Sequence, residues 1–267
     1  AIIHPREDRS LWGMFAALAP AIIATTAQPH QTYGLSRKQA TDPAKDDRMV
    51  AKIFRYVVNT LGVAPPELYF RPEQKESIQV ANTHDKGILT PSFVVGAPVI
   101  AAKNERELAF EMAKRIAFLR PERYVRYALP TSLAMANAYD AAVIASGAGH
   151  LTDRGPEVDK LTAHFKKTVA QPVLDQVASF AKKIPASVNG MAVTSWLSAA
   201  DLTANRVGFI VVGDLESAAT QVSKEPLGLT TLSTKDRLKD LLAYSVSEEY
   251  FSVRRHLGLE INVGTGA

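Results

Sequence analysis

The 267-residue chain contains no cysteine. Disulfide bonds, thiolate zinc sites, iron–sulfur clusters and cysteine nucleophiles are therefore excluded. Because structural disulfides belong to oxidising compartments, the absence fits a cytoplasmic protein, although it does not require that location. We take a cytoplasmic location as the expectation.

Histidine is scarce, and the histidines present are scattered along the chain. None has another histidine three or four residues away, the spacing that places two imidazoles on one face of a helix. We therefore predict surface or loop histidines and no bound metal. Convergence of several histidines in space stays open as a less favoured alternative. The six positions are His4, His30, His84, His150, His164 and His256.

Neither charge nor hydrophobicity is concentrated in one region. The formal net charge of +4 comes from 31 basic and 27 acidic residues, and the sequence pI is about 9.2. This mild, dispersed excess does not indicate nucleic-acid binding. The apolar stretch 11–25 is shorter than the about 20 residues of a membrane span, and Pro20 interrupts it. We predict no membrane span, and one buried helix or two short helices there.

Several familiar catalytic motifs are missing. The sequence has no Gly-x-Ser-x-Gly elbow, no Gly-x-Gly-x-x-Gly and no phosphate-binding Gly-x-x-x-x-Gly-Lys-Ser/Thr. The neighbouring carboxylates Glu248 and Glu249 point apart on a helix and do not indicate glycosidase chemistry. These absences leave open a hydrolytic enzyme with an unrecognised site, which is the alternative function.

Residues 105–119 contain the clearest helical pattern in the chain. Asn104 is a good N-cap residue, and Pro121 ends the pattern. Apolar residues at spacings of four and three predict one buried face. These are Leu108, Met112, Ile116 and Leu119.

The remaining patterns predict an α+β, mainly α-helical protein with a small antiparallel or mixed sheet before this central helix. We find no repeat and no low-complexity linker, and we predict one domain over 1–267. Its start at Ala1, without methionine or signal peptide, is compatible with a processed chain or a domain excised from a longer protein. Expected strands are 67–71, 77–81, 88–90, 92–95 and 98–101. Expected helices are residue 11 to about Pro20, 46–61, 105–119, one or two within 121–147, then 159–169, 172–184, 188–212, 214–222, 234–245 and 248–257.

The order of residues in the central helix resembles the active-site helix of the M48 family of gluzincin metallopeptidases. Such helices run Glu-Leu-Ala, a few apolar residues, then His-Glu-x-x-His. On that pattern, Lys114 and Phe118 occupy the two histidine positions, and Arg115 occupies the glutamate position. The residues that bind zinc and activate water in the family are therefore replaced.

A second segment also resembles this family. Residues 201–208, Asp-Leu-Thr-Ala-Asn-Arg-Val-Gly, are similar to its Glu-x-x-Ala-Asp-Arg-x-Gly motif. Asp201 falls on the position of the third zinc ligand, and Asn205 falls on the aspartate position. The resemblance covers residues 46–220, with specific support only at the two motifs.

The resemblance implies a degenerate M48-like domain with a zincin-like scaffold. A protonated lysine has no lone pair, phenylalanine is a hydrocarbon, and arginine is no base near neutral pH. We therefore expect a catalytically inactive pseudopeptidase without zinc or another cofactor. Its expected role is binding of a protein or extended peptide along the sheet edge, or of tetratricopeptide-repeat regions of the same or another chain.

Loss of the metal has a consequence for charge. A carboxylate at Asp201 that lost a dication needs another partner. We predict that Lys114 or Arg115 lies within about 5 Å of Asp201, and that Phe118 fills the volume of the second histidine. The alternative is that both cations reach solvent or pair with Glu111.

Overall fold

A computed structural model describes residues 2–102, 104–150, 155–185, 189–225 and 232–259. The described chain is mainly helical with two small sheets, as the α+β prediction required. The helices are α1 (Arg9–Thr26), α2 (Met49–Leu61), α3 (Ala97–Ile100), α4 (Glu105–Ile116), α5 (Pro121–Ala128), α6 (Ser132–Ala145), α7 (Pro156–Thr168), α8 (Gln171–Ala181), α9 (Asn189–Val212), α10 (Leu215–Lys224), α11 (Thr234–Ser245) and α12 (Glu248–His256). The strands are β1 (Gln28–Pro29), β2 (Glu67–Arg71), β3 (Ile78–Ala81), β4 (Thr83–Asp85), β5 (Ile88–Leu89) and β6 (Ser92–Gly96).

The larger sheet has the order β2-β6-β3 and is mixed. Strand β2 runs parallel to β6, and β3 runs antiparallel to it, with Val80 opposite Phe93. The central strand β6 is buried throughout, which fits the apolar run of Phe93, Val94 and Val95 at its centre. Within the described chain, no strand pairs with the other edge of β3. The smaller sheet has the order β1-β4-β5.

Helix α4 lies against the larger sheet, formed by β2, β6 and β3. The Asn104 side chain accepts hydrogen bonds from the backbone N–H groups of Arg106 and Glu107 and caps the helix as predicted. Leu108, Met112 and Ile116 are buried in a core shared with the sheet and α2. The sequence pattern therefore identified the start of α4 and three of the four residues of its buried face. The predicted end at residue 119 was wrong, because α4 ends at Ile116 and a 3₁₀ turn follows.

Helix α9 packs closely on α4 at a glycine. A Cβ atom added at Gly208 would lie 2.7 Å from a ring carbon of Phe110. Glycine permits this close approach, which brings Asp201 and the other polar residues on α9 toward α4. The end of α9 packs on α12, where the rings of Phe209 and Tyr250 are stacked with centroids 4.5 Å apart.

Helices α1 and α5 to α8 surround a second large core. Leu11, Phe15 and Leu18 on α1 pack with Trp196 on α9, and the Phe15 and Trp196 ring centroids are 5.1 Å apart. Among the described helices, none combines the length and apolar character needed to cross a membrane.

Some predicted boundaries were wrong. Helix α1 continues through Pro20 to Thr26, because Ile22 is buried in the same core as the preceding turns; such packing offsets the about 3 kcal/mol cost of an internal proline. Residues 98–101 were predicted as strand, but Pro98 stands in the first turn of α3, where its fixed φ favours a helix. The short strands β1 and β4 were not predicted.

Candidate functional site

Lys114 is buried at the packing surface between α4 and α9, with 4% of its surface exposed. Its Nζ lies 3.0 Å from Oδ1 of Asp201, which is also buried. The ammonium also donates a hydrogen bond to Oε2 of Glu225, just after α10. The contact expected between Asp201 and one of the two cations is therefore present, and Lys114 makes it.

Two arginines extend this contact into a cluster of five charges. Nη1 of Arg126 lies 3.7 Å from Oδ1 of Asp201, and Nη1 of Arg237 lies 3.2 Å from Oε2 of Glu225. Three cations thus surround two carboxylates, which leaves one net positive charge. We call these five residues the Lys114 cluster.

Arg115 has a different partner from Lys114. Its Nη2 lies 3.2 Å from Oε1 of Glu111, one helical turn earlier, and its Nη1 donates a 3.0 Å hydrogen bond to the Glu111 carbonyl. The pairing with Glu111 that was the alternative for both cations therefore applies to Arg115 alone.

Phe118 lies in a short 3₁₀ turn, residues 117–119, that follows α4. Its buried ring packs against Ala200 and Ala204 of α9. The guanidinium carbon of Arg126 lies 4.5 Å from the centre of the ring. An apolar side chain therefore fills the space beside the Lys114 cluster.

Asn205 lies one turn after Asp201 on α9 and is fully buried. Neither its amide nitrogen nor its amide oxygen has a hydrogen-bond partner within the described protein. Because unpaired buried polar groups cost stability, the asparagine is not explained by packing alone.

A second polar cluster lies farther along α9. Arg206 binds Asp240 with two hydrogen bonds, of 3.0 and 2.6 Å, and Nε2 of His4 lies 3.3 Å from the same carboxylate. Burial raises the pKa of Asp240, but hydrogen bonds from His4 and Arg206 outweigh it and hold that pKa below the usual value. Asp240 on α11 thus connects Arg206 of α9 with His4 of the N-terminal segment.

Tyr127 supports the end of α4. Its hydroxyl donates a 2.8 Å hydrogen bond to the Arg115 carbonyl, and its ring meets that of Phe118 edge to face. Burial raises the pKa of Tyr127 to about 12. The phenol is therefore neutral at physiological pH and acts as a hydrogen-bond donor.

A narrow groove runs along α4 beside the Lys114 cluster. It consists of two adjoining clefts of about 180 and 260 Å³. Both are lined by Ser77, at the start of β3, and by Glu111 of α4 and Gln221 of α10. Lys114 and Glu225 line the smaller cleft. We call this the α4 groove.

Three of the described histidines are held by contacts in separate places. His4 pairs with Asp240, Nε2 of His30 lies 2.8 Å from Glu67, and Nε2 of His164 is hydrogen-bonded to the Ala21 carbonyl. Within the residues that the structure describes, no group of three or more His, Cys, Asp or Glu side chains is placed to hold a metal ion.

Three members of the Lys114 cluster were not predicted: Glu225, Arg126 and Arg237. Glu225 follows the end of α10, and Arg237 lies in the first turns of α11. No local pattern connects either residue with α4, because only the packing of α10 and α11 brings them together. Arg126 carried no signal either, because α5 also buries the charged residues Glu122 and Arg123 and no local pattern distinguishes Arg126 from them.

No protein-family model, curated protein or solved structure matches the chain. The resemblance to the M48 family therefore rests on the two sequence motifs.

Proposed function

We propose that this chain is a degenerate M48-like domain with a zincin-like scaffold, catalytically inactive, that binds an extended peptide along the free edge of β3 and the α4 groove. The observation that carries the proposal is the position of Lys114. Its ammonium is buried between Asp201 and Glu225 on the helix that resembles the family's active-site helix.

The charges around Asp201 argue against its use as a metal ligand. A metal ion bound to Oδ1 would compete with the Lys114 ammonium at 3.0 Å and with Arg126 at 3.7 Å. Two positive charges 4 Å apart repel each other by about 4 kcal/mol at a protein surface, and a dication would experience about twice that. Neither Lys114 nor Phe118 offers a lone pair to compensate.

The edge of β3 supports peptide binding. Gly96 donates its backbone N–H to the Ser77 carbonyl, and hydrogen-bonded pairs alternate along an antiparallel ladder. The N–H and C=O groups of Ile78 and Val80 therefore point away from β6, toward the free edge. An added peptide strand would pair with these groups.

The α4 groove lies at the start of the same strand. Each of its two clefts is smaller than the about 300–1,000 Å³ of typical small-molecule pockets. A narrow groove next to a free strand edge favours an extended chain over a compact ligand. A tetratricopeptide-repeat region as the binding partner stays a prediction of the sequence resemblance.

Binding of unfolded β-casein tests the proposal. Fluorescein-labelled casein is titrated with the full chain, and fluorescence anisotropy reports binding. Val80→Pro removes one outward N–H and is expected to weaken binding at least tenfold. Val80→Thr keeps the N–H and serves as the matched control, with circular dichroism to verify folding.

The same samples test for hydrolysis. We expect intact casein by mass spectrometry after prolonged incubation. Reproducible cleavage of casein that a substitution in the cleft abolishes would contradict the proposal of an inactive domain. It would support the alternative, a hydrolytic enzyme. No binding at 100 µM protein, or equal loss in both Val80 variants with folding intact, would reject the β3 edge as a peptide site.

A further inference from the structure

A larger cleft lies elsewhere on the protein, between the N-terminal segment, α1, α9 and α12. Its volume is about 530 Å³, within the range of small-molecule sites. Apolar walls come from Ile3, Trp12, Val207, Val253 and Leu257. None of the residues lining it lines the α4 groove. We call it the α12 cleft.

Two large hydrophobic residues in this cleft are exposed to water. Ile3 is 44% exposed and Trp12 is 37% exposed. Single exposed hydrophobic residues are common, but two that line one concave site indicate a binding surface. A ligand with an apolar body would cover both.

One end of the α12 cleft is polar and carries arginine side chains. Arg123 lines it with only 5% of its surface exposed. Its terminal nitrogens bind Glu7 at 2.8 Å and Glu122 at 3.2 Å, but its Nε has no hydrogen-bond partner within the described protein. Exposed Arg120 adds a second guanidinium to the lining.

The carboxylates near Arg123 are already engaged. Oε2 of Glu7 accepts a 2.6 Å hydrogen bond from the Thr203 hydroxyl, and Glu122 is paired with Arg123. The Nε of Arg123 is itself buried, so the donors that a ligand in the cleft can reach are those of exposed Arg120, and these suit an anionic acceptor beside the positive charge of Arg123.

We propose that the α12 cleft binds a small amphipathic acid, a carboxylate with an unbranched alkyl chain. The alkyl chain packs against Trp12, Ile3 and the apolar side of α12, and the carboxylate lies toward Arg120 and Arg123. This site is independent of the proposed peptide function, because the two surfaces share no lining residue.

Decanoate is the probe that tests this site. Intrinsic fluorescence reports binding, because Trp12 lines the cleft while Trp196, the other tryptophan, is 1% exposed in the core. Isothermal titration calorimetry provides a second readout. Trp12→Phe should remove the fluorescence change and keep the calorimetric signal.

The ligand series tests the two halves of the proposal separately. Each methylene added between octanoate and decanoate should tighten binding about fourfold. Decanol has the same chain without the charge, and decyltrimethylammonium carries the opposite charge; both should bind at least tenfold more weakly than decanoate.

Two variants locate the site. Ser252→Trp places a large ring at the exposed lining of the cleft and should abolish binding, whereas Ser223→Trp, on the exposed side of α10, should not. Arg120→Gln should weaken decanoate binding about tenfold, with Arg9→Gln, an exposed arginine outside the lining, as its control.

Several results would overturn the proposal. Equal affinity for decanol and decanoate would show that the cleft has no preference for an anion. Binding unchanged by both Ser252→Trp and Arg120→Gln would place the ligand elsewhere. Absence of saturable decanoate binding up to 1 mM, in either readout, would reject the site itself.

Discussion

Replacement of Lys114 by methionine tests the role of the charge cluster most directly. The methionine side chain has nearly the length of the lysine stem and fits an apolar site, but it removes the ammonium. Asp201 is then left with Arg126, 3.7 Å away. Glu225 keeps Arg237, 3.2 Å away.

The expected loss of stability follows from burial. Removal of one partner from a buried ion pair costs about 3–5 kcal/mol, because the remaining charge stays buried. Each carboxylate retains one arginine here, so we take the lower end, about 3 kcal/mol. For a domain of this size, that corresponds to a decrease in Tm of about 6 °C.

Urea unfolding followed by circular dichroism measures this loss. Lys224→Met is the matched control, because Lys224 is largely exposed and pairs with Glu107 at 2.8 Å; it should cost less than about 1 kcal/mol. In the double variant Lys114→Met/Asp201→Leu, part of the loss should be recovered, because the buried ammonium and the carboxylate that it contacts are removed together, while Arg126 loses its contact with Asp201.

Two results would refute the reasoning. If Lys114→Met costs no more than Lys224→Met, Lys114 is not a buried counter-charge. If the double variant costs as much as the sum of the two single variants, the ammonium and the Asp201 carboxylate are not coupled.

Three further predictions concern α9 and its surroundings. Gly208→Ala should destabilise the protein by about 1–3 kcal/mol in urea unfolding, because the added methyl group collides with Phe110. Asn205→Leu should raise the free energy of unfolding by about 1 kcal/mol, because it removes a buried amide without partners. Burial raises the pKa of Tyr127 to about 12 from 10.0, so above pH 10 the folded protein holds a proton that the unfolded chain loses. Stability should therefore fall between pH 10 and 12, by about 2 kcal/mol from this residue, and Tyr127→Phe should remove that part of the decrease.

Matched variants exist for these three measurements. At Gly155, no atom of the described residues lies within 4 Å of the added methyl group, so Gly155→Ala should change stability little. A lower free energy of unfolding in Asn205→Leu would show that the Asn205 amide has a stabilising partner. Tyr56→Phe removes a comparable hydroxyl, which donates to the Val211 carbonyl at 3.2 Å; if it flattens the alkaline decrease as strongly as Tyr127→Phe, burial of Tyr127 is not the cause.

The sequence predicted best where one chemical requirement acts over a few residues. Asn104 marked the start of α4 because its side chain caps free backbone N–H groups. The predicted end of the second helix at residue 61 is correct, and Gly62 follows it in the left-handed conformation, with φ of 59°. The contact between Lys114 and Asp201 could be predicted because the family resemblance supplied a pairing that no local pattern contains.

The prediction failed where the outcome depends on tertiary packing. Pro98 fits either a strand end or the first turn of a helix, and its neighbours β6 and α4 decide between them. Glu225 completes the Lys114 cluster because α10 packs on α4. Its sequence position, after Lys224 and before a proline, resembles any exposed helix end.

The candidate site differs from a metal-binding helix in its backbone as well as in its side chains. Two zinc-binding histidines four residues apart face one way only if α-helical geometry continues between them. Here α4 ends at Ile116 and a 3₁₀ turn follows. A 3₁₀ turn advances by about 120° per residue and an α-helix by about 100°, so residue 118 is rotated by roughly 40° from its α-helical direction.

This rotation has a consequence for the proposed ancestry. Histidines at positions 114 and 118 would therefore not have the spacing of two imidazoles four residues apart on one continuous α-helix. Two interactions stabilise the 3₁₀ turn. The Tyr127 hydroxyl donates a hydrogen bond to the Arg115 carbonyl, just before the turn, and the Phe118 ring packs on α9. If the chain descends from a metallopeptidase, as we propose, it differs from such an ancestor in the backbone and core packing at the end of α4 as well as at Lys114.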